Sequence, residues 1–483
     1  MKNFFSHKKR TGYLMVLICF ILIGLFTKAG QETYGAWSLL PPAMLFAFAI
    51  LTKSVIEGFI WAGVLATFMV ERGNFFTGYM GHIQETIMNA DNVYLIMIFL
   101  EIGIFIAFLK KSGAAGYFAN FLASKTNNSK ILLLIDWVLG IALSVDEFMA
   151  GFTIGAAMTP VNDGRKIPRE MTAYTVRSVN VNPAVCNPLN AWAIFIATTM
   201  ESIGFAAEGK GISEYMHVIP FLFFPIITML ISLLVILGVI PKLGGIKKAY
   251  ARVEAGGPIG PEGGVVEELE ETLEIKKGVN LLSFIVPIVA LVGAAFYFDF
   301  DMVNGIMAAI VIEVILYVVQ GIIKVSDIVP FALEGIVDLV ELTAFLVIGM
   351  TMSGIVGTTG FTEFVVGSIA GFMTPWALPV AIFVAFSITE YLVTFNWTLY
   401  LLAMPSVVGL AAVVGCNPYL AIAALVCAGV FGSNASFSSD NGVLVASACK
   451  IDLYEQNISQ LPYMAISVVL SAVAFLAAGI VCA

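Results

Sequence analysis

Residues 131–160 read ILLLIDWVLGIALSVDEFMAGFTIGAAMTP, an apolar run broken at its middle by Ser144-Val145-Asp146-Glu147. Lys125 and Lys130 precede the run, and Arg165, Lys166 and Arg169 follow it. Basic residues of short loops collect on the cytoplasmic side of a membrane, so one side claims both ends of this segment. A crossing helix satisfies that condition less well. A re-entrant hairpin that dips into the bilayer and returns meets it, with residues 144–147 at its tip.

The rest of the chain supports a bilayer as the solvent. Of its 483 residues 59% are hydrophobic and 12% charged, and the mean hydropathy is +0.95. A water-soluble domain of this size could not carry that composition without large exposed apolar patches. The net charge of -9 resides in short polar stretches between apolar runs, which gives no basis for a nucleic-acid or acidic partner. Membrane lipid is the expected partner. The cysteines Cys19, Cys186, Cys416, Cys427, Cys449 and Cys482 are scattered and form neither a CxxC pair nor a disulfide framework.

A span needs about 20 mostly apolar residues. Candidates are 12–28, 37–52, 55–70, 93–110, 216–240, 279–298, 302–323, 339–357 and 462–482, while 131–160, 168–203, 376–404 and 417–449 are apolar but interrupted. The run 12–28 lacks a convincing small-residue cleavage site after it and reads as a span rather than a signal peptide. Lys2, Lys8, Lys9 and Arg10 place the N-terminus in the cytoplasm, and Lys53, Lys110 and Lys111 mark returns to that side, leaving 71–92 outside. The expected organisation is all-α: an extra N-terminal helix in 1–36, a first repeat in 37–240 with hairpin 131–160 and broken helix 168–203, and a flexible cytoplasmic linker in 241–278. A second, inverted repeat follows in 279–483 with hairpin 376–404 and broken helix 417–449. That is five crossings per repeat, about eleven in all, and an extracytoplasmic C-terminus. A sequence echo accompanies it, Ser144-Val145-Asp146-Glu147-Phe148 against Ser387-Ile388-Thr389-Glu390-Tyr391.

Inverted repeats whose interrupted helices meet near the midplane suit a carrier, because freed carbonyls and half-helix ends can hold ions there. An ionised carboxylate in an apolar run costs about 2.5 to 3.5 kcal/mol or more unless partnered, so Asp146 and Glu147 call for a cation, a proton or a base such as Arg177. In 168–203 the cluster Asn180-Val181-Asn182-Pro183 and Asn187-Pro188-Leu189-Asn190 offers neutral oxygens suited to a hard cation such as Na+; a capped helix kink explains each asparagine equally well. In the second half Glu390, Thr394 and Asn396 are expected at the hairpin tip. Asn434, Ser436, Ser439, Asp440 and Asn441 lie in the break of 417–449, with Asp440 read as a ligand or proton carrier. Ser144, Asn182, Asn187, Asn190 and the second-half hydroxyls and amides are the substrate-binding candidates, and Asp146 and Asp440 the ligands of a transported Na+. No phosphate-binding loop, HExxH or paired-cysteine site occurs, and no cofactor is expected.

At these breaks the chain resembles the NhaC family of sodium:proton antiporters, from about Ile131 to Trp192 and from about Thr394 to Tyr463. The likeness is carried by Asp146-Glu147-Phe148, Met158-Thr159-Pro160, Lys166-Ile167-Pro168-Arg169-Glu170, Asn396-Trp397-Thr398, Val430-Phe431-Gly432 and Gln460-Leu461-Pro462-Tyr463. It implies a plasma-membrane carrier in which Asp146, Glu147 and Asp440 carry cations or protons. The chain departs from the family pattern at Glu147, Ala150, Ser433-Asn434, Phe437 and Thr398. The leading expectation is therefore a Na+/H+ antiporter. The alternative is a Na+- or H+-coupled carrier of an amino acid or carboxylate, and a non-transporting scaffold is a third class that the buried carboxylates argue against. A homodimer is expected by analogy with this architecture.

Overall fold

The computed structural model describes residues 7–31, 33–52, 54–123, 126, 128–261, 275–298, 301–392, 394, 396–436 and 439–482. Among these residues there is no strand; the chain is helices joined by short turns. Hydrocarbon offers no partner for a backbone N–H or C=O, so a segment that crosses it must satisfy its own hydrogen bonds as a helix. The polarity is accordingly inside out. Leu14, Leu17, Leu25, Val289, Phe296, Val319, Val337 and Val473 are exposed, while Asp136, Arg177, Asn180, Asn182, Asn434 and Gln460 are fully buried.

Helix α1 (His7–Phe26) is followed by the pair α2 (Leu40–Thr52) and α3 (Val55–Glu71), by α4 (Phe75–Met88), and by the long α5 (Ala90–Ser112) with the short α6 (Ala114–Ala123). A helical hairpin comes next, α7 (Ser129–Ala142) and α8 (Glu147–Asp163), then a crossing in three pieces, α9 (Arg169–Ser178), α10 (Val181–Cys186) and α11 (Ala191–Ser202). Helices α12 (Gly211–Val218) and α13 (Phe223–Leu237) close the first half, and α14 (Gly244–Glu254) lies between the halves. The same succession then recurs. The pair α15 (Leu281–Tyr297) and α16 (Met302–Val319) leads to the long α17 (Ile328–Thr358) and the short α18 (Phe361–Ile369). A hairpin of α19 (Leu378–Leu392) and α20 (Asn396–Val414), a broken crossing of α21 (Pro418–Ala435) and α22 (Asp440–Ala448), and α23 (Leu453–Val481) complete it.

Among the described residues six helices are long and apolar enough to cross a membrane, seven if the pair α12–α13, bent by 51°, is one span; five shorter apolar helices accompany them. The first hairpin's arms, α19 and the pieces of the first broken crossing fall below that length, whereas α20 and α21, at 19 and 18 residues, are among the six. The two long helices α5 and α17 pack along each other, with the backbones of Gly103 and Gly335 touching at the crossing, where any Cβ would collide with the opposite carbonyl. Around this scaffold the hairpins and broken crossings pack on one another, α8 against α22, α19 and α20 against α21, and α13 against α23.

The breaks have local causes. Pro188 drives the residue before it out of the helical region, and Asn187 is extended at φ −94°, ψ 112°. Asn190 then caps α11 by accepting from the Trp192 amide. In the second half Ser436 is extended at φ −70°, ψ 144°, and Ser439 caps α22; serine side chains compete with the helix ladder and favour such ends.

Several expectations are corrected. The second arm of the later hairpin runs to Val414 rather than residue 404, and α17 and α23 begin well before residues 339 and 462. The echo of 144–148 with 387–391 does not match the element order. Residues 144–146 form the turn of the first hairpin, whereas 387–390 lie inside α19; Glu147 and Asn396, the first residues of the returning arms, are the positional counterparts. The linker is no mere tether either. Arg252 on α14 donates to both carboxylate oxygens of Glu170 at 2.7 and 3.0 Å, the Arg169 amide donates to Ile259 O, and the Leu243 amide donates to the Tyr463 hydroxyl at 2.7 Å. Burial pushes the Tyr250 phenol up to about 12. Residues 262–274 of the expected linker lie outside the described ones.

Candidate functional site

Glu147 opens α8 and is 4% exposed. Trp192 Nε1 donates to its Oε1 at 2.8 Å and Asn190 Nδ2 reaches Oε2 at 3.4 Å. The same Asn190 nitrogen donates to Ser144 O at 3.0 Å and Val145 O at 2.8 Å, and Asn187 Nδ2 donates to Ser144 Oγ at 3.1 Å. The break of the first crossing therefore grips the tip of the first hairpin. Every one of Glu147's hydrogen-bond partners is neutral, and among the described residues no lysine or arginine forms an ion pair with it. Asp146, half-buried, adjoins it in the turn.

A second cluster forms where the two broken crossings meet. Asn182 and Asn434, both fully buried, exchange amide hydrogen bonds at 3.3 and 3.2 Å, and each also donates to the carbonyl four residues before it, Ser178 O and Val430 O, at 2.9 Å. Asn180 Nδ2 donates to Asn441 Oδ1. Asn396 Nδ2 donates to Ser433 Oγ at 2.6 Å, so the returning arm of the second hairpin touches the second break as Glu147 touches the first. Trp192 packs on Trp397 with ring centroids 4.8 Å apart, closing the space between the two hairpins.

Arg177 is fully buried and donates to Ser433 O and, at 3.0 Å, to Ser439 Oγ. Its described hydrogen bonds thus go to the second break rather than to Asp146 and Glu147. Gly442 is glycine for this reason, since a Cβ there would press on the guanidinium. The carbonyls freed at the breaks are also claimed. Ser433 O takes Arg177 and the Ser439 hydroxyl, Asn434 O takes Gln460 Nε2 at 2.6 Å, and Ser436 O takes Asn457 Nδ2 at 3.2 Å. Open carbonyls were expected there; side-chain donors from α9 and α23 occupy them in this conformation.

The other candidates are placed as follows. Glu390 is buried inside α19 against Gly432 of α21, not at the hairpin tip. Thr394 lies in the turn and is half-buried. Asp440 starts α22 behind the cap Ser439, and its side chain lies outside the described ones, as do Phe437 and Ser438. The candidates read from sequence omit Asp136, Gln456 and Asn457, and Gln460 enters there only as part of the family likeness. Asp136 is a lone acid in the first arm of the hairpin, and the three amides repeat at helical spacing on one face of α23; both signals were present.

A model of the Na+/H+ antiporter family matches residues 183–480, more than half of the chain. An uncharacterized protein of Haemophilus influenzae is 22% identical over 489 residues, covering 92% of this chain and 91% of that one. Among solved structures the YdaH transporter of Alcanivorax borkumensis covers 98% of both chains with a TM-score of 0.58 at 10% identity. MtrF of Neisseria gonorrhoeae, described with a class of antimetabolite efflux pumps, has a TM-score of 0.56 at 12% identity over 98% of this chain and 95% of its own. At such identities the two structures speak for the fold. The chain belongs to the Na+/H+ antiporter family, and is thereby a multi-pass membrane transporter rather than an enzyme.

Proposed function

We propose that the chain is a secondary transporter of the NhaC type that exchanges a monovalent cation, Na+ first, for protons at the tip of the first hairpin. The observation that supports it is Glu147: a buried carboxylate held by Trp192 and Asn190 alone, with a second carboxylate beside it. An ionised group in such a place needs a positive partner. A proton and Na+ are alternatives for the same oxygens, so occupancy by one expels the other and couples the two fluxes. Asp146 adds a second carboxylate to the cation, and Asp440 is the proposed counterpart in the second half. The doubled succession of elements, read as two inverted repeats, would present this site to either side in turn. The protein acts in the plasma membrane with its N-terminus in the cytoplasm and its C-terminus outside, as a homodimer.

A second reading rests on the amide and hydroxyl lining of the second half, where Asn396, Ser433, Asn434 and Asn441 replace carboxylates, and on the likeness to MtrF. In it the ion drives a small organic solute bound by those groups. Purified protein in liposomes with a pH-sensitive dye inside separates the two. Na+-dependent proton movement that Glu147→Gln abolishes supports antiport. No proton movement with Na+, Li+ or K+ in folded protein rejects it, and Na+-dependent uptake of amino acids or carboxylates would then be measured.

A further inference from the structure

Away from the hairpin tip, the first hairpin holds another buried carboxylate. Asp136 on α7 is fully buried, about 9 Å of helix before the end of α7 at Ala142. Its Oδ2 accepts from Asn162 Nδ2 of α8 at 2.7 Å, and the same nitrogen lies 3.2 Å from Thr172 Oγ1 of α9. Thr159, three residues before Asn162 on the same face of α8, adds a buried hydroxyl. Asp136, Asn162 and Thr172 come from three helices that pack on one another.

The donor count of this cluster does not balance. Asn162 Nδ2 spends its two hydrogens on Asp136 Oδ2 and Thr172 Oγ1, while Asp136 Oδ1 and Asn162 Oδ1, both buried, have no hydrogen-bond partner among the described residues. No lysine or arginine among those residues forms an ion pair with Asp136. The charged and titratable groups around the cluster are the Cys449 thiol, the ion pair of Asp163 with Arg169 at 2.8 Å, and the pair of Glu170 with Arg252. Both arginines are thus engaged by other carboxylates. A buried carboxylate oxygen and a buried amide oxygen without partners, and with no paired positive charge, are expensive to leave so. Oxygen-only ligation from a carboxylate, an amide carbonyl and hydroxyls suits a small hard cation.

We infer that Asp136, Asn162, Thr159 and Thr172 form a second monovalent-cation site, for Na+ or Li+, separate from Glu147 and built between the hairpin and the first broken crossing. It stands on its own geometry and does not require that Glu147 carry the exchange. The test is equilibrium binding of radioactive Na+ to purified full-length protein, comparing wild type, Asp136→Asn and Glu147→Gln. Asp136→Asn is expected to lose one Na+ per chain while keeping the Na+ that Glu147→Gln removes. Asn162→Ala, which leaves the carboxylate in place, is expected to weaken that one site about tenfold, and it serves if Asp136→Asn does not fold. Unchanged Na+ stoichiometry and half-saturation in Asp136→Asn, or in Asn162→Ala where only that variant folds, would overturn the site. Loss of Na+ in Asp136→Asn with no effect of Glu147→Gln would leave this site standing and count against the proposed exchange at the hairpin tip.

Discussion

Asn182 of the first broken crossing and Asn434 of the second hydrogen-bond each other through both amides, and each turns its remaining donor back to the carbonyl four residues earlier in its own helix. The two residues fill the same role in the two halves, and they meet in full burial. Replacing either by alanine strands the other amide, a penalty of about 1 to 3 kcal/mol. Thermal unfolding in detergent should show each single variant destabilised and the double variant less so than the sum of the two. Strict additivity would mean that the pair is not coupled.

Trp192→Phe removes the indole N–H from Glu147 but keeps an aromatic ring against Trp397. A hydrogen bond to a charged group contributes about 1.5 to 3 kcal/mol, so the Na+ concentration for half-maximal proton movement should shift by roughly ten- to a hundredfold. Glu147→Gln should lose the Na+ response altogether. A Trp192→Phe variant with wild-type Na+ dependence would separate that bond from the transported ion.

The linker helix makes a separate prediction. Arg252→Ala leaves Glu170, 3% exposed, without the guanidinium that covers it, and a buried acceptor left without its partner costs about 1 to 3 kcal/mol. Helix α14 should detach before the membrane helices unfold. Limited proteolysis should therefore cut the 241–261 region faster in this variant, while the protein still elutes as a single species in detergent. Equal cleavage rates would mean that other contacts, such as Leu243 with Tyr463, hold α14 alone.

At the α5–α17 crossing, Gly103→Leu has no room to be accommodated because Gly335 presents backbone, not a movable side chain. Overpacking of this kind costs about 1 to 3 kcal/mol or more. The variant should express poorly or lose its sharp elution profile in detergent, and Gly335→Leu should do the same. Gly293, whose missing Cβ faces open space, makes the control substitution to alanine.

Much of this was readable in the chain. The polar tip 144–147 marks the turn between α7 and α8, and the Asn-Pro pair at 187–188 marks the break, because both act through local rules of backbone geometry. What stayed hidden depends on partners distant in sequence. Arg177 and Ser433 are far apart along the chain, so nothing local says that the arginine donates to the second break. The length of α17 escaped because Glu334, Asp338 and Glu341 interrupt the apolar run without ending the helix. Asp136 was overlooked for a different reason. The search favoured polar clusters, and a lone acid between Ile135 and Trp137 looks unremarkable until its neighbours in space are known.

The bonds among Asn180 and Asn441, Asn182 and Asn434, and Arg177 and Ser433 run between the two halves, so the duplicated chain holds one shared seam rather than two self-contained units. Separating the halves there would strip several buried donors of their acceptors at once. The two breaks are in this way tied into one body, and neither can shift alone without stranding those buried donors.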